Sequence, residues 1–167
     1  MSQTPLFQYV KPKLFIAYLE QNGFHLVPRK RNMVKCFQKV IGNKYYQVNV
    51  PVSSALVDFE DAMKKALEIV ADLQNTSTLA LCVQFSNLVR IIGKIESSTI
   101  KGASPSPIVQ VIFLDDENSV QRTLVKVQDK DAKRIVSACY DNLVVDIIGL
   151  RSMFREYEIE AIFVSII

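Results

Sequence analysis

The chain has 167 residues, with 20 Lys+Arg, 17 Asp+Glu, 49% apolar residues and a formal net charge of +3. That apolar share can bury a real core, which excludes a mainly disordered chain, and three widely spaced cysteines (Cys36, Cys82, Cys139) exclude a disulfide scaffold. Apolar runs fall far short of the ~18–20 residues of a membrane span, and the start MSQTPLFQYVKPK lacks signal-peptide features, so a soluble protein of the reducing cytoplasm is expected.

Pro12 and Asn22-Gly23 bracket Leu14, Ile16, Ala17, Tyr18 and Leu19, which predicts a helix over 11–22. Phe24 to Val27 is a short apolar piece stopped by Pro28, and Arg29-Lys30-Arg31-Asn32 is a basic turn. Met33 to Ile41 and Tyr45 to Val50 alternate on either side of Gly42-Asn43, the pattern of a β-hairpin. With Gly42-Asn43-Lys44 as a three-residue loop, Val34, Cys36, Gln38, Val40, Tyr46, Val48 and Val50 share one face. Lys35, Phe37, Lys39, Tyr45, Gln47 and Asn49 then share the other. A two-residue loop instead joins Phe37 to Val48 and Val50, and Lys39 to Tyr46, because a slip of one residue exchanges faces. The first register separates apolar from polar better and is the expectation, although it leaves Phe37 outside.

Asp58 to Leu73 carries the clearest helical stripe: Phe59, Ala62, Met63, Ala66, Leu67, Val70 and Leu73. Asp58 suits the N-cap, and Glu60 and Asp61 favour the positive end of the helix dipole. A short helix over 79–86 follows, with Ser77 or Thr76 as its cap. From Leu88 the pattern turns to strands: Val89–Glu96, Ile108–Leu114 and Val120–Val127, with a Ser/Pro/Gly-rich loop at 97–107 and a turn at Asp115-Asp116-Glu117-Asn118. Asp129 caps a helix with the stripe Ala132, Ile135, Val136 and Cys139. Leu143–Ile148 reads as a central strand, and Gly149 marks a bulge or bend. In Glu156–Ile166, Tyr157, Ile159, Ala161 and Phe163 alternate with Glu156, Glu158 and Glu160. That leaves Ile162, Val164 and Ile166 outward on a terminal strand, a row expected to serve subunit assembly.

These elements define an α+β chain with two subdomains. Residues 1–87 form a helix, a β-hairpin sheet and a helix. Residues 88–167 follow the order strand-strand-strand-helix-strand-strand, with a glycine near a strand bend. This order resembles an oligonucleotide/oligosaccharide-binding (OB) fold, which implies a five-stranded barrel with one helix. The first half is similar in order to the double-stranded-RNA-binding domain. Such domains hold phosphates with lysines at the start of the last helix. Here that helix begins Asp58-Phe59-Glu60-Asp61, so the order matches and the phosphate grip does not. The whole also resembles small bacterial proteins with a helix–hairpin–helix front and an OB-like back, a likeness to which no activity attaches.

Residues 1–54 carry eight basic groups against Glu20 alone, whereas 55–90 and 91–167 are each net −2. The front third therefore attracts anions. Arg29, Lys30, Arg31, Lys35, Lys39 and Lys44, interleaved with Phe37 and Tyr45, form the candidate site. Cations grip phosphates or an acidic protein, and aromatics stack on bases. Enzyme chemistry is sparse. His25 is the sole histidine and reads as a packed strand residue; the cysteines read as core filler; the isolated glycines build no phosphate loop. Asp146 sits inside an apolar strand, either on a wet face or beside Lys126 or Arg151. The leading expectation is a cytoplasmic, non-enzymatic adaptor without cofactors or metal. It binds nucleic acid or an acidic partner through its front, does not bind membrane, and assembles as a homodimer or in a complex through its back. The alternatives are a metal-dependent hydrolase or nuclease using Glu156, Glu158 and Glu160, and a purely structural subunit.

Overall fold

In the computed structural model, which describes residues 6–99, 108–153 and 157–167, the chain is α+β. Among the described residues it has four α-helices, a three-stranded sheet and a five-stranded mixed sheet. It divides into two compact units, Met1–Asn87 and Leu88–Ile167.

In the first unit Pro12, with its fixed φ and no N–H to lose, opens α1 (Pro12–Gln21). Gly23, at φ +78°, turns the chain into β1 (His25–Val27). β2 (Val34–Ile41) and β3 (Lys44–Pro51) complete an antiparallel sheet in the order β1-β2-β3. α2 (Phe59–Gln74) buries Phe59, Met63, Ala66, Leu67 and Val70, the stripe its periodicity dictates. Asp58 occupies its N-cap without a side-chain capping bond, so the favourable charge there comes from Glu60 and Asp61 in the first turn. α3 (Thr78–Gln84) is capped by Ser77, whose hydroxyl accepts from the Ala80 amide at 3.0 Å. The rings of Phe15 and Tyr18 lie 5.2 and 5.0 Å from that of Phe85, which ties α1 to the end of α3.

The hairpin takes the two-residue turn, not the expected three-residue loop. Ile41 stands opposite Lys44, Lys39 opposite Tyr46, Phe37 opposite Val48 and Lys35 opposite Val50. Gly42, at φ +59°, holds the first central position of that turn. The reason lies in burial. This register puts Phe37 beside Val48 and Val50, and all three are fully buried. It also draws Lys39 onto the core face. Its Nζ stands over the Phe24 ring, 5.4 Å from the centroid, and donates to the Asn22 carbonyl at 2.6 Å.

The second unit comprises β4 (Leu88–Thr99), β5 (Ile108–Leu114), β6 (Val120–Lys126), α4 (Asp129–Tyr140), β7 (Val144–Arg151) and β8 (Ile159–Ile166). Hydrogen-bonded neighbours run β4-β5-β6-β8-β7 and return to β4, with β6 and β8 the parallel pair. Residues 97–99 belong to β4 rather than to the expected loop, and 100–107 lie outside the described residues. α4 begins at Asp129, with Gln128 rather than the expected Asp129 at its N-cap; it buries Ile135 as expected, together with Asp131 and Ala138, while Ala132, Val136 and Cys139 are half-buried.

β8 corrects the expected outward row. Its pairing with β7 shifts where Phe163 faces Ile148 and Ala161 faces Gly149, so Ile162 is the extra residue of a bulge. The bulge changes the phase of alternation. Ile159 and Ala161 point into the core before it; Val164 and Ile166 do so after it. Ile162 and Val164 are therefore buried within the chain itself, and β8 is paired on both edges. The exposed aliphatic row behind the assembly expectation does not exist here.

Two glycines permit the close approaches this ring needs. A Cβ at Gly149 would stand 2.3 Å from the Glu160 carbonyl oxygen, and one at Gly93 would stand 2.2 Å from that of Ile112. Asp146 pairs with neither expected base. Arg90 grips it through two bonds, Nε–Oδ1 at 2.9 Å and Nη2–Oδ2 at 2.7 Å, across the β4–β7 ladder.

Gly149→Ala should lower unfolding free energy by about 1–3 kcal/mol in urea titrations, because strand backbone must move. Asp146→Ala alone should remove about 2 kcal/mol by stranding Arg90, and Arg90→Met combined with Asp146→Leu should recover most of it.

Candidate nucleic-acid interface

The register divides the sequence-predicted site. Phe37 is fully buried and presents no ring to a ligand. Lys39 is half-buried and engaged with Asn22 and Phe24. Arg29, Lys30, Arg31, Lys35 and Lys44 are exposed. Tyr45 is opposite Val40, on the face away from Phe37, and is 57% exposed.

That second face is open towards the hairpin end and closed at Cys36, which stands opposite Asn49 and is fully buried. Val34, Val40, Tyr45, Asn49 and His25 are exposed on it, and Gln38 and Gln47 are half-buried. His25, Gln38 and Gln47 align across the three strands. Gln38 donates to the Gln47 side-chain oxygen at 3.4 Å, and Gln47 donates to that of Asn49 at 3.4 Å. His25 is thus a strand residue, as expected, but an exposed one. Sequence reading missed the amide row because the other register scatters it. The three strands contain no acidic residue.

Cations stand at both ends of the sheet, although Lys35 and Lys44 fall in register with Phe37 rather than with Tyr45. Arg29, Arg31 and Lys35 line a cavity of about 290 Å³ with Leu26, Val27, Pro28, Asn32 and Val34. Lys44 stands at the hairpin turn, separated from that cavity by the length of β2, roughly 23 Å. On the β3 side, a cavity of about 500 Å³ places Asp58, Asp61 and Lys65 of α2 near Val34 and Asn49. An anionic chain is therefore repelled from the start of α2 and drawn to the β1–β2 turn.

The other candidate groups are differently employed. Glu158 accepts a hydrogen bond from the Thr123 hydroxyl, Glu160 is exposed on β8, and Glu156 lies outside the described residues. Asp115 accepts from the backbone amides of Ser119 and Glu117 and from Gln121, at 2.8, 3.0 and 2.9 Å. These bonds, that from Ser119 foremost, hold its carboxyl below the usual range and lock the β5–β6 turn. Cys36 and Cys82 are buried free thiols, and Cys82 donates to the Leu6 carbonyl at 3.6 Å. Burial first, and Glu60 second, push the Cys82 thiol up to about 12, which withholds the reactive thiolate.

No protein-family model and no curated protein matches this chain.

The raised Cys82 pKa sets a pH dependence. Below the ordinary thiol value of 9.0 both states hold the proton; between there and about 12 only the unfolded chain releases it. Stability should then fall as pH rises, by up to about 1.4 kcal/mol per unit from this group. Denaturant titrations between pH 8 and 10.5 should show a shallower decline for Cys82→Ala than for the parent chain.

Proposed function

We propose that the chain is a non-enzymatic accessory protein that binds nucleic acid through its N-terminal unit. The observation carrying this reading is the cavity at the β1–β2 turn, where Arg29, Arg31 and Lys35 converge and no carboxylate lines the wall. Exposed cations of this kind neutralise phosphates and release counterions. A nucleic acid is favoured over an acidic protein because the adjoining sheet face offers an exposed tyrosine and uncharged amides, groups that meet bases.

The C-terminal unit is read as an OB-like scaffold. The strand order, the parallel β6–β8 pair and α4 between β6 and β7 support that reading. Three of its arginines are engaged inside the unit: Arg90 with Asp146, Arg122 with Glu96 at 3.0 Å, and Arg134 with Asp131 at 3.7 Å. Each of these three has a carboxylate where a phosphate would have to bind, which favours the front for the grip.

Replacing Arg29, Lys30 and Arg31 together with Glu should abolish binding of a fluorescent oligonucleotide at 50 mM salt while leaving the circular-dichroism melt unchanged. For the parent chain, log affinity should fall with log salt at a slope of about −2 to −4, the value for three to five neutralised phosphates. Absence of any shift with single or double strands at low salt would remove this function.

A further inference from the structure

We propose that the ligand is a single strand, and that the open face of β1-β2-β3 reads it with Tyr45 as the stacking platform. This rests on the nucleic-acid reading above and names the form of nucleic acid that the same surface takes.

Three observations converge. First, Tyr45 is 57% exposed, beside Val40 at 66%, on a strand face whose remaining groups are uncharged. A base can lie flat against such a ring only if it is unstacked from its neighbours, which a single strand permits and a duplex does not. Second, Gln38, Gln47 and Asn49 are joined through their amides, and His25 stands in register with the first two. Each amide carries both a donor and an acceptor, the complement of an exposed base edge. The long bonds of 3.4 Å among them are weak and easily exchanged for bonds to a ligand. Third, cations stand beyond both ends of this track. Arg29 and Arg31 lie in the β1–β2 turn, and Lys44 lies at the hairpin turn, where the register points it, like Lys35, to the Phe37 side. A flexible strand can reach over the ends of the sheet to these charges while its bases face Tyr45.

The same surface disfavours a duplex. A duplex presents two rows of phosphates and no free base face to Tyr45. Spreading over this unit, its second row would meet α2, which begins with Asp58, Glu60 and Asp61. Those carboxylates repel phosphates at the position where a cationic helix start would be needed.

The test is fluorescence anisotropy on the full chain. The probes are a labelled 12-nucleotide single-stranded DNA, the RNA of the same sequence, the matching duplexes and a poly-glutamate peptide. Single strands should bind at least tenfold more tightly than duplexes, and comparison of the DNA with the RNA shows whether the 2′-hydroxyl contributes. Tyr45→Ala should weaken single-strand binding about tenfold without changing the salt slope, and Tyr45→Phe should retain it. Because Tyr45 is exposed, both variants should keep the parent melting temperature. Equal or tighter duplex binding would overturn the inference while leaving nucleic-acid binding intact. So would an unchanged affinity in Tyr45→Ala. Poly-glutamate binding as tight as the single strand, unaffected by Tyr45→Ala, would make the surface an acidic-protein site and overturn both readings.

Discussion

The two-residue turn at Gly42-Asn43 decides which side chains the sheet of the first unit buries and which it exposes. Once Ile41 faces Lys44, every later pair in the hairpin is fixed, and with it the face that each side chain occupies. Phe37, Val48 and Val50 go to one side and are sealed there. Tyr45, Gln47, Asn49, Gln38 and His25 go to the other. Both registers place Val48 and Val50 inside, so the difference is Phe37, whose burial is worth about 1.5–3 kcal/mol and outweighs the neat segregation of lysines that the competing register offers. Lys39 shows why the competition resolves this way. A lysine on a core face is tolerable when its amine stands over an aromatic ring and reaches a helix-end carbonyl, and Phe24 and Asn22 supply both. Lys39 is thus engaged by the fold, and Tyr45 is left exposed.

A comparable device governs the second unit. A closed ring of strands must bend, and the bend is placed where Ile162 bulges opposite the Ile148–Gly149 step. Gly149 tolerates the backbone of β8 at a distance that no side chain would allow. The bulge then lets both halves of β8 face inward, first through Ile159 and Ala161 and afterwards through Val164. The pair Arg90–Asp146 fastens the neighbouring β4–β7 ladder from a diagonal position, with Asp146 almost wholly out of water. Such a carboxylate is stable there only because both its oxygens are bonded to one guanidinium.

Much of the fold was legible in the sequence because it depends on local periodicity. The stripe of α2, the limits Ile108–Leu114, a cap at Ser77 or Thr76 and an irregularity at Gly149 follow from spacing and turn chemistry. What failed to follow depends on pairing across strands. The hairpin register turned on one residue in the loop. The phase change in β8 looked like fading alternation because an extra residue in a bulge has no sequence mark of its own. The partner of Asp146 could not be named without knowing that β4 lies beside β7, since Arg90 is 56 positions away. For the site, the cations were legible as exposed charge, whereas the roles of Phe37 and Tyr45 were exchanged by the register. The open amide row appeared only once three strands were aligned.

Charge follows the same division between folding and binding. In the second unit Arg90, Arg122 and Arg134 each meet a carboxylate of that unit, so their charge is neutralised where it stands. In the first, Arg29, Lys30, Arg31, Lys35 and Lys44 stand exposed, in a segment whose first 54 residues hold one acid. These five exposed like charges repel one another. Three of the five line one cavity, so their mutual repulsion is greatest where an anion would be held most closely. An anion bound there would relieve that repulsion as well as add attraction, and the cost of assembling the cluster in the free protein would become part of the driving force for association.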